Sequence, residues 1–170
     1  NKKITDQSSK NFTIRKASSG NYSYLCARNK CSSFSNRTRR YPSKVISVSG
    51  ATKTIWRTAA KRWPTVSFRF VSSAPSQGIR ILGYQNLASN ICGQAQWWYY
   101  SSGKLGKCNI KINSNISNMN CVEAWTMTHE VGHCIGVFTH TTDGGIMDSG
   151  SAGSNGQISS PIKRMIKLLY

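Results

Sequence analysis

All three histidines of this 170-residue chain fall in one twelve-residue run, His129-Glu130-Val131-Gly132-His133-Cys134-Ile135-Gly136-Val137-Phe138-Thr139-His140. Neutral imidazole is a common metal ligand. Two imidazoles four residues apart share one face of a helix, offset by about 40° and about one turn in height. His129 and His133 can therefore grip one metal ion. Glu130 points roughly 100° round the same helix, where its carboxylate reaches a water on that metal without ligating it. A third ligand requires the helix to stop, and Gly136 suits that stop, because a helix commonly ends on a left-handed residue that costs glycine nothing. The chain can then double back and carry His140 to the metal. Further on, Gly144-Gly145-Ile146-Met147-Asp148 is a tight glycine turn holding one methionine.

The run HExxHxxG, followed by a third histidine and then by Thr-Thr-Asp-Gly-Gly-Ile-Met, resembles the metzincin clan of zinc proteases, most of all the matrixins and the small bacterial metzincins. The resemblance implies Zn2+ on His129, His133 and His140, Glu130 as catalytic general base, and Met147 as a structural floor beneath the metal. There are two departures. The clan usually places its third ligand three residues after the glycine, where this chain has Thr139; His140 is one further on. His140 is the expected ligand, and Asp143 is the alternative, since some metzincins use aspartate there. Ser149 stands where astacin-like members carry a tyrosine that assists zinc, which leaves oxyanion stabilisation mainly to the metal.

The elements that must position these residues can be read from periodicity. Residues 44–49, 66–71, 78–82, 94–100 and 108–113 read as strands. Residues 51–63 read as a helix, with Ile55, Ala59 and Trp63 on its buried face and Pro64 ending it. Asn120 and Glu123 form a capping box opening the motif helix, which runs to about 135. A Gly/Ser loop, 149–157, leads to Ser160-Pro161, an N-cap and N1 pair that starts a last helix ending at Tyr170. This order matches the metzincin layout over 43–170. It implies an α+β fold: a twisted, mostly parallel sheet with an antiparallel edge strand, an active-site helix, a Met-turn and a C-terminal helix. The domain reading is a basic N-terminal arm of unknown role, 1–42, and a protease domain, 43–170.

The layout also constrains the six cysteines. Cys121 and Cys134 bracket one helix, about 20 Å apart at 1.5 Å per residue, and cannot bond to each other. If the helix runs antiparallel to the strand before it, Cys108 meets Cys134 and Cys92 meets Cys121, leaving Cys26 to pair with Cys31. The metzincin layout also puts Gln96-Trp97-Trp98-Tyr99-Tyr100 at the edge strand above the cleft, where a peptide substrate can add by main-chain hydrogen bonds. Alternation sets Trp97 and Tyr99 on one face and Trp98 and Tyr100 on the other. Core packing and substrate stacking both stay open for them. Residues 149–157 should wall the pocket for the side chain after the scissile bond.

Composition bounds the rest. The chain carries 23 Lys and Arg against five acids, a net charge of +18, with eleven of the basic residues before position 45. Such charge favours anionic surface polymers as partners beside protein or peptide substrates. No helix-turn-helix, zinc-finger or RNP-like pattern supports nucleic-acid binding. So few carboxylates argue against structural calcium. An even number of cysteines beside a hydrolytic motif favours a secreted, extracytoplasmic setting. No apolar run approaches the roughly 20 residues of a membrane span, and the opening Asn1-Lys2-Lys3-Ile4-Thr5 has no signal-peptide core, so the chain reads as a mature or trimmed one; a monomer is expected. The leading function is a secreted zinc endopeptidase. The alternative is a cationic envelope- or polyanion-binding module with a latent or structural zinc site. A third reading makes 1–42 an inhibitory segment whose Cys26 or Cys31 blocks the metal.

Overall fold

Four short strands open the chain: β1 (Lys2–Asp6), β2 (Phe12–Lys16), β3 (Tyr22–Ala27) and β4 (Lys30–Ser33) pair in sequence order as an antiparallel meander. The structure is a computed structural model. It describes residues 2–6, 12–16, 22–27, 30–33, 40–101, 104–138, 140–141, 144–148 and 156–170. The sequence reading assigns no strands before residue 44. Backbone register sets Cys26 opposite Cys31 in the β3–β4 pair; for these two residues the backbone alone is described, so the expected bond between them lies outside what the structure describes.

A second sheet carries the site. Its strands are β5 (Val45–Ser49), β6 (Ser67–Val71), β7 (Gly78–Gln85), β8 (Gly93–Tyr99) and β9 (Leu105–Asn113), in the spatial order β6-β5-β7-β9-β8. Every pairing is parallel except β8 with β9, which is antiparallel and leaves β8 at the sheet edge. The α+β class with a mostly parallel sheet and an antiparallel edge strand is therefore the observed one. Alternation buries Ile46, Val48, Ile79, Ile81, Cys108, Ile110 and Ile112 on one face. Helices α1 (Thr54–Lys61) and α2 (Glu123–Cys134) pack on each other and against that sheet. A last helix, α3 (Ser160–Leu169), follows.

Three details differ from the sequence reading. The buried face of α1 is Trp56, Ala59 and Ala60, whereas Ile55 is exposed; the large indole takes the core position and the aliphatic side chain is turned out. Glu123 does not close a capping box with Asn120. Val122 is the N-cap, with no side-chain cap, and the Glu123 carboxylate accepts instead from Trp56 Nε1 at 2.7 Å, Tyr84 Oη at 2.6 Å and Lys53 Nζ at 3.2 Å. Burial alone would raise this carboxyl, but those three donors hold it below the ordinary glutamate value. At α3 the N-cap is Ser159, not Ser160, which places Pro161 within the first turn, where its missing N–H costs nothing.

Two disulfides fasten α2 to the sheet at both ends. Cys92 joins Cys121 with Cα atoms 6.1 Å apart, and Cys108 joins Cys134 at 5.5 Å. Both are the pairs expected from an antiparallel strand and helix. They accord with an oxidising compartment. Among the described residues, no helix is long and apolar enough to cross a membrane.

Candidate metal centre

The end of α2 brings the ligands together. Ile135 is the C-cap and Gly136 follows at φ +122°. Val137 N–H donates to Gly132 O at 3.0 Å, and Gly136 N–H to His133 O at 3.3 Å. This is the 6→1 and 5→2 pair of a Schellman ending, which needs a residue free of a Cβ at the turn. Past it the chain reverses, and the side chains of His129, His133 and His140 meet, with one nitrogen of each ring within 4.8 Å of the others. The His129 and His133 Nε2 atoms are 3.0 Å apart, and the His140 and His129 Nε2 atoms 3.1 Å. Thr139 and Asp143, the residues in competition with His140 for the third place, lie outside the described residues, as does Ser149.

Two backbone carbonyls set the tautomers. His129 Nδ1 lies 2.6 Å from Ile146 O, and His133 Nδ1 lies 2.6 Å from Val137 O. A carbonyl only accepts, so each Nδ1 carries the proton and donates. The Nε2 of each neutral ring is then a lone pair, and the two lone pairs face one another at 3.0 Å. Such an arrangement repels unless a cation sits between them. Protons are poor candidates. Burial, and next the neighbouring His129, push His133 down to about 3, and burial pushes His129 down as well. The donor set thus fits a metal ion: three imidazoles with Nε2 inward, two of them held by backbone carbonyls at Nδ1 in the usual manner of metal-bound histidine.

Glu130 is buried beside them, and burial pushes its carboxyl up to about 8 against an opposing hydrogen bond from the Ala95 backbone. Strand β8 can come this close because it crosses α2 at Gly93, where a Cβ would stand 3.0 Å from the Glu130 Cγ and Oε1. Met147 is fully buried under the motif. A Cβ on Gly132 would meet Met147 Sδ and the Trp63 ring at 2.5 Å, so the glycine inside the motif is what admits the methionine and the indole. The turn holding Met147 is closed by Asp148, whose carboxylate accepts from Gly144 N–H at 2.8 Å, and by Thr141 N–H donating to Met147 O at 2.7 Å.

The aromatic segment divides as alternation requires. Trp97 stacks on Phe138 at 5.0 Å and lies 5.9 Å from the His133 ring, and Tyr99 meets Phe138 edge-on at 6.0 Å. Trp98 and Tyr100 are exposed and line a recess with Arg80 and Lys107, and Tyr99 reaches its rim because the register of β8 shifts between Trp98 and Tyr99. Sequence reasoning missed the carbonyls of Ile146 and Val137, Gly93, and Asp148. Only Asp148 has a signal in the sequence, an acid directly after a glycine turn. Comparison with protein-family models and with curated proteins finds no match for this chain.

Proposed function

We propose that the chain is a secreted zinc-dependent endopeptidase of metzincin type, with residues 43–170 as its catalytic domain. The observation that carries this reading is the pair of imidazole lone pairs held face to face by two carbonyl-fixed tautomers, with a buried carboxyl beside them. His129, His133 and His140 would hold the metal. Zinc so held supplies Lewis acidity, bringing the pKa of a water it binds to about 7 and favouring negative charge on a scissile carbonyl oxygen. Glu130 takes the proton from the attacking water and delivers it to the leaving amine. Strand β8, at the sheet edge beside α2, offers unpaired main-chain groups that align an extended peptide. Trp97 and Phe138, stacked beside His133, wall the cleft on that side.

Glu130→Gln tests this reading. The amide is nearly isosteric and outside the ligand set, so zinc should bind stoichiometrically while chelator-sensitive hydrolysis of an unfolded protein substrate falls at least about 100-fold. Hydrolysis near the wild-type rate would sink the mechanism. His140→Ala should lose both zinc and activity; loss through Asp143→Ala instead would move the third ligand there.

A further inference from the structure

The five-stranded sheet has a second face, which neither α1 nor α2 covers. Exposed Arg69, Arg80 and Lys107 and half-exposed Lys111 alternate with half-buried Phe68 and Phe70 on β6 and with buried core residues on β7 and β9, and so point away from the helices. Register orders this face into rows. One runs Arg69, Ser47 on β5, then Gly78, Lys107 and Trp98; the next places Arg80, Asn109 and Gln96 side by side, and Lys111 lies opposite Gln94. Strands about 4.8 Å apart with same-face side chains about 6.7 Å apart set Arg80 and Lys107 about 8 Å from each other. None of the four cations forms an ion pair among the described residues. The acidic side chains that the structure describes are elsewhere: Glu123 and Glu130 ride on α2, and Asp148 closes the methionine turn. Where the row ends at the sheet edge, Trp98, 43% exposed, and Tyr100, 46% exposed, join Arg80, Lys107 and Pro75 around a recess of about 490 Å³.

We propose that this helix-free face binds an anionic polysaccharide, a sugar chain bearing carboxylate or sulfate groups. Three chemistries coincide on it. The guanidinium and ammonium groups meet fixed negative charge. The side-chain amides of Gln94, Gln96 and Asn109 and the Ser47 hydroxyl both donate and accept, which suits sugar hydroxyls, whereas a phosphate only accepts. The indole of Trp98 offers a flat apolar platform beside the cations for the face of a sugar ring. Single-stranded nucleic acid fits less well, because its binding sheets stack successive bases on several aromatic side chains. Here β5, β7 and β9 present Ser47, Arg80, Lys107 and Asn109 instead. The inference is independent of peptidase activity, since the histidines lie on the far side of the sheet.

The chain's net charge gives any polyanion some affinity, so the experiment must hold charge constant. Binding of the full chain to heparin and to polygalacturonate is measured by calorimetry at near-physiological salt, with neutral dextran and a single-stranded oligodeoxythymidylate for comparison. Arg80→Gln/Lys107→Gln should weaken polysaccharide binding at least about tenfold more than Lys163→Gln/Lys167→Gln, an equal charge loss on exposed positions of α3. Trp98→Ala, which changes no charge, should weaken it several-fold. A preference for heparin over polygalacturonate that shrinks in Arg80→Gln/Lys107→Gln more than in Lys163→Gln/Lys167→Gln would assign the anion as sulfate, and a preference for polygalacturonate as carboxylate. Equal weakening by the two double variants, wild-type affinity in Trp98→Ala, or equally tight oligodeoxythymidylate binding would overturn the proposal.

Discussion

At the scale of single residues, the site places a carboxyl and an imidazole with opposite proton preferences next to each other. In the metal-free chain, burial pushes Glu130 up to about 8 and His133 down to about 3. Glu130 therefore binds an extra proton in the folded state between its ordinary value of about 4.3 and about 8. Its contribution to stability is complete below that window and is lost as pH rises through it. His133 behaves in reverse: its contribution is present above about 6.5 and is lost as pH falls toward 3. Thermal unfolding of the metal-free protein across this range should show Glu130→Gln gaining on wild type as pH rises from about 4.5 to 8. Parallel profiles would contradict the buried acid. Gly132 is the other residue with a sharp expectation. An alanine there must displace Met147 Sδ and the Trp63 ring, both 2.5 Å from its Cβ. Overpacking of this kind costs about 1–3 kcal/mol, read as a lower denaturant midpoint, and the loss should shrink in combination with Met147→Ala.

At the scale of elements, α2 is held by a disulfide at each end, and each closes a loop of similar length, with sequence separations of 29 and 26. Removing one of them, as Cys108→Ala/Cys134→Ala, should cost about 3 kcal/mol of unfolding free energy. A denaturation series showing less than about 1 kcal/mol would mean that packing alone fixes the helix. The element order from residue 44 onward, the ligand spacing, the helix stop at Gly136 and both disulfides were legible in the sequence, whereas the four strands before it were not. Each follows from a strict period, a special residue or a length constraint. The missing parts have another character. Tautomer control by Ile146 and Val137 comes from backbone carbonyls, which every residue possesses. The exchange of Ile55 for Trp56 on α1 turns on which large side chain fits between α2 and Tyr84, from which Trp56 lies 5.6 Å edge-on. Glu123 could be read as a cap only while its partners Lys53, Trp56 and Tyr84, distant in sequence, were out of view.

At the scale of the whole molecule, the sheet separates two chemistries, with ligand-bearing α2 on one face and a cationic, amide-rich surface on the other. The C-terminus closes the helical side: Tyr170 Oη donates to Ile135 O at 3.1 Å and accepts from Tyr41 N–H at 3.2 Å. Burial drives that phenol far above its ordinary range, so it remains a donor at any pH at which the protein works. The order of the four bonded cysteines has a consequence for survival among proteases. Their loops interleave, Cys92 to Cys121 and Cys108 to Cys134, so a backbone cut between 108 and 121 is spanned by both bridges. The turn at 114–120 is the exposed stretch in that interval, and exposed turns are where nicking concentrates. A molecule cleaved there should run intact on a non-reducing gel, separate into two pieces only after reduction, and keep its three histidines on a single fragment still moored to the sheet.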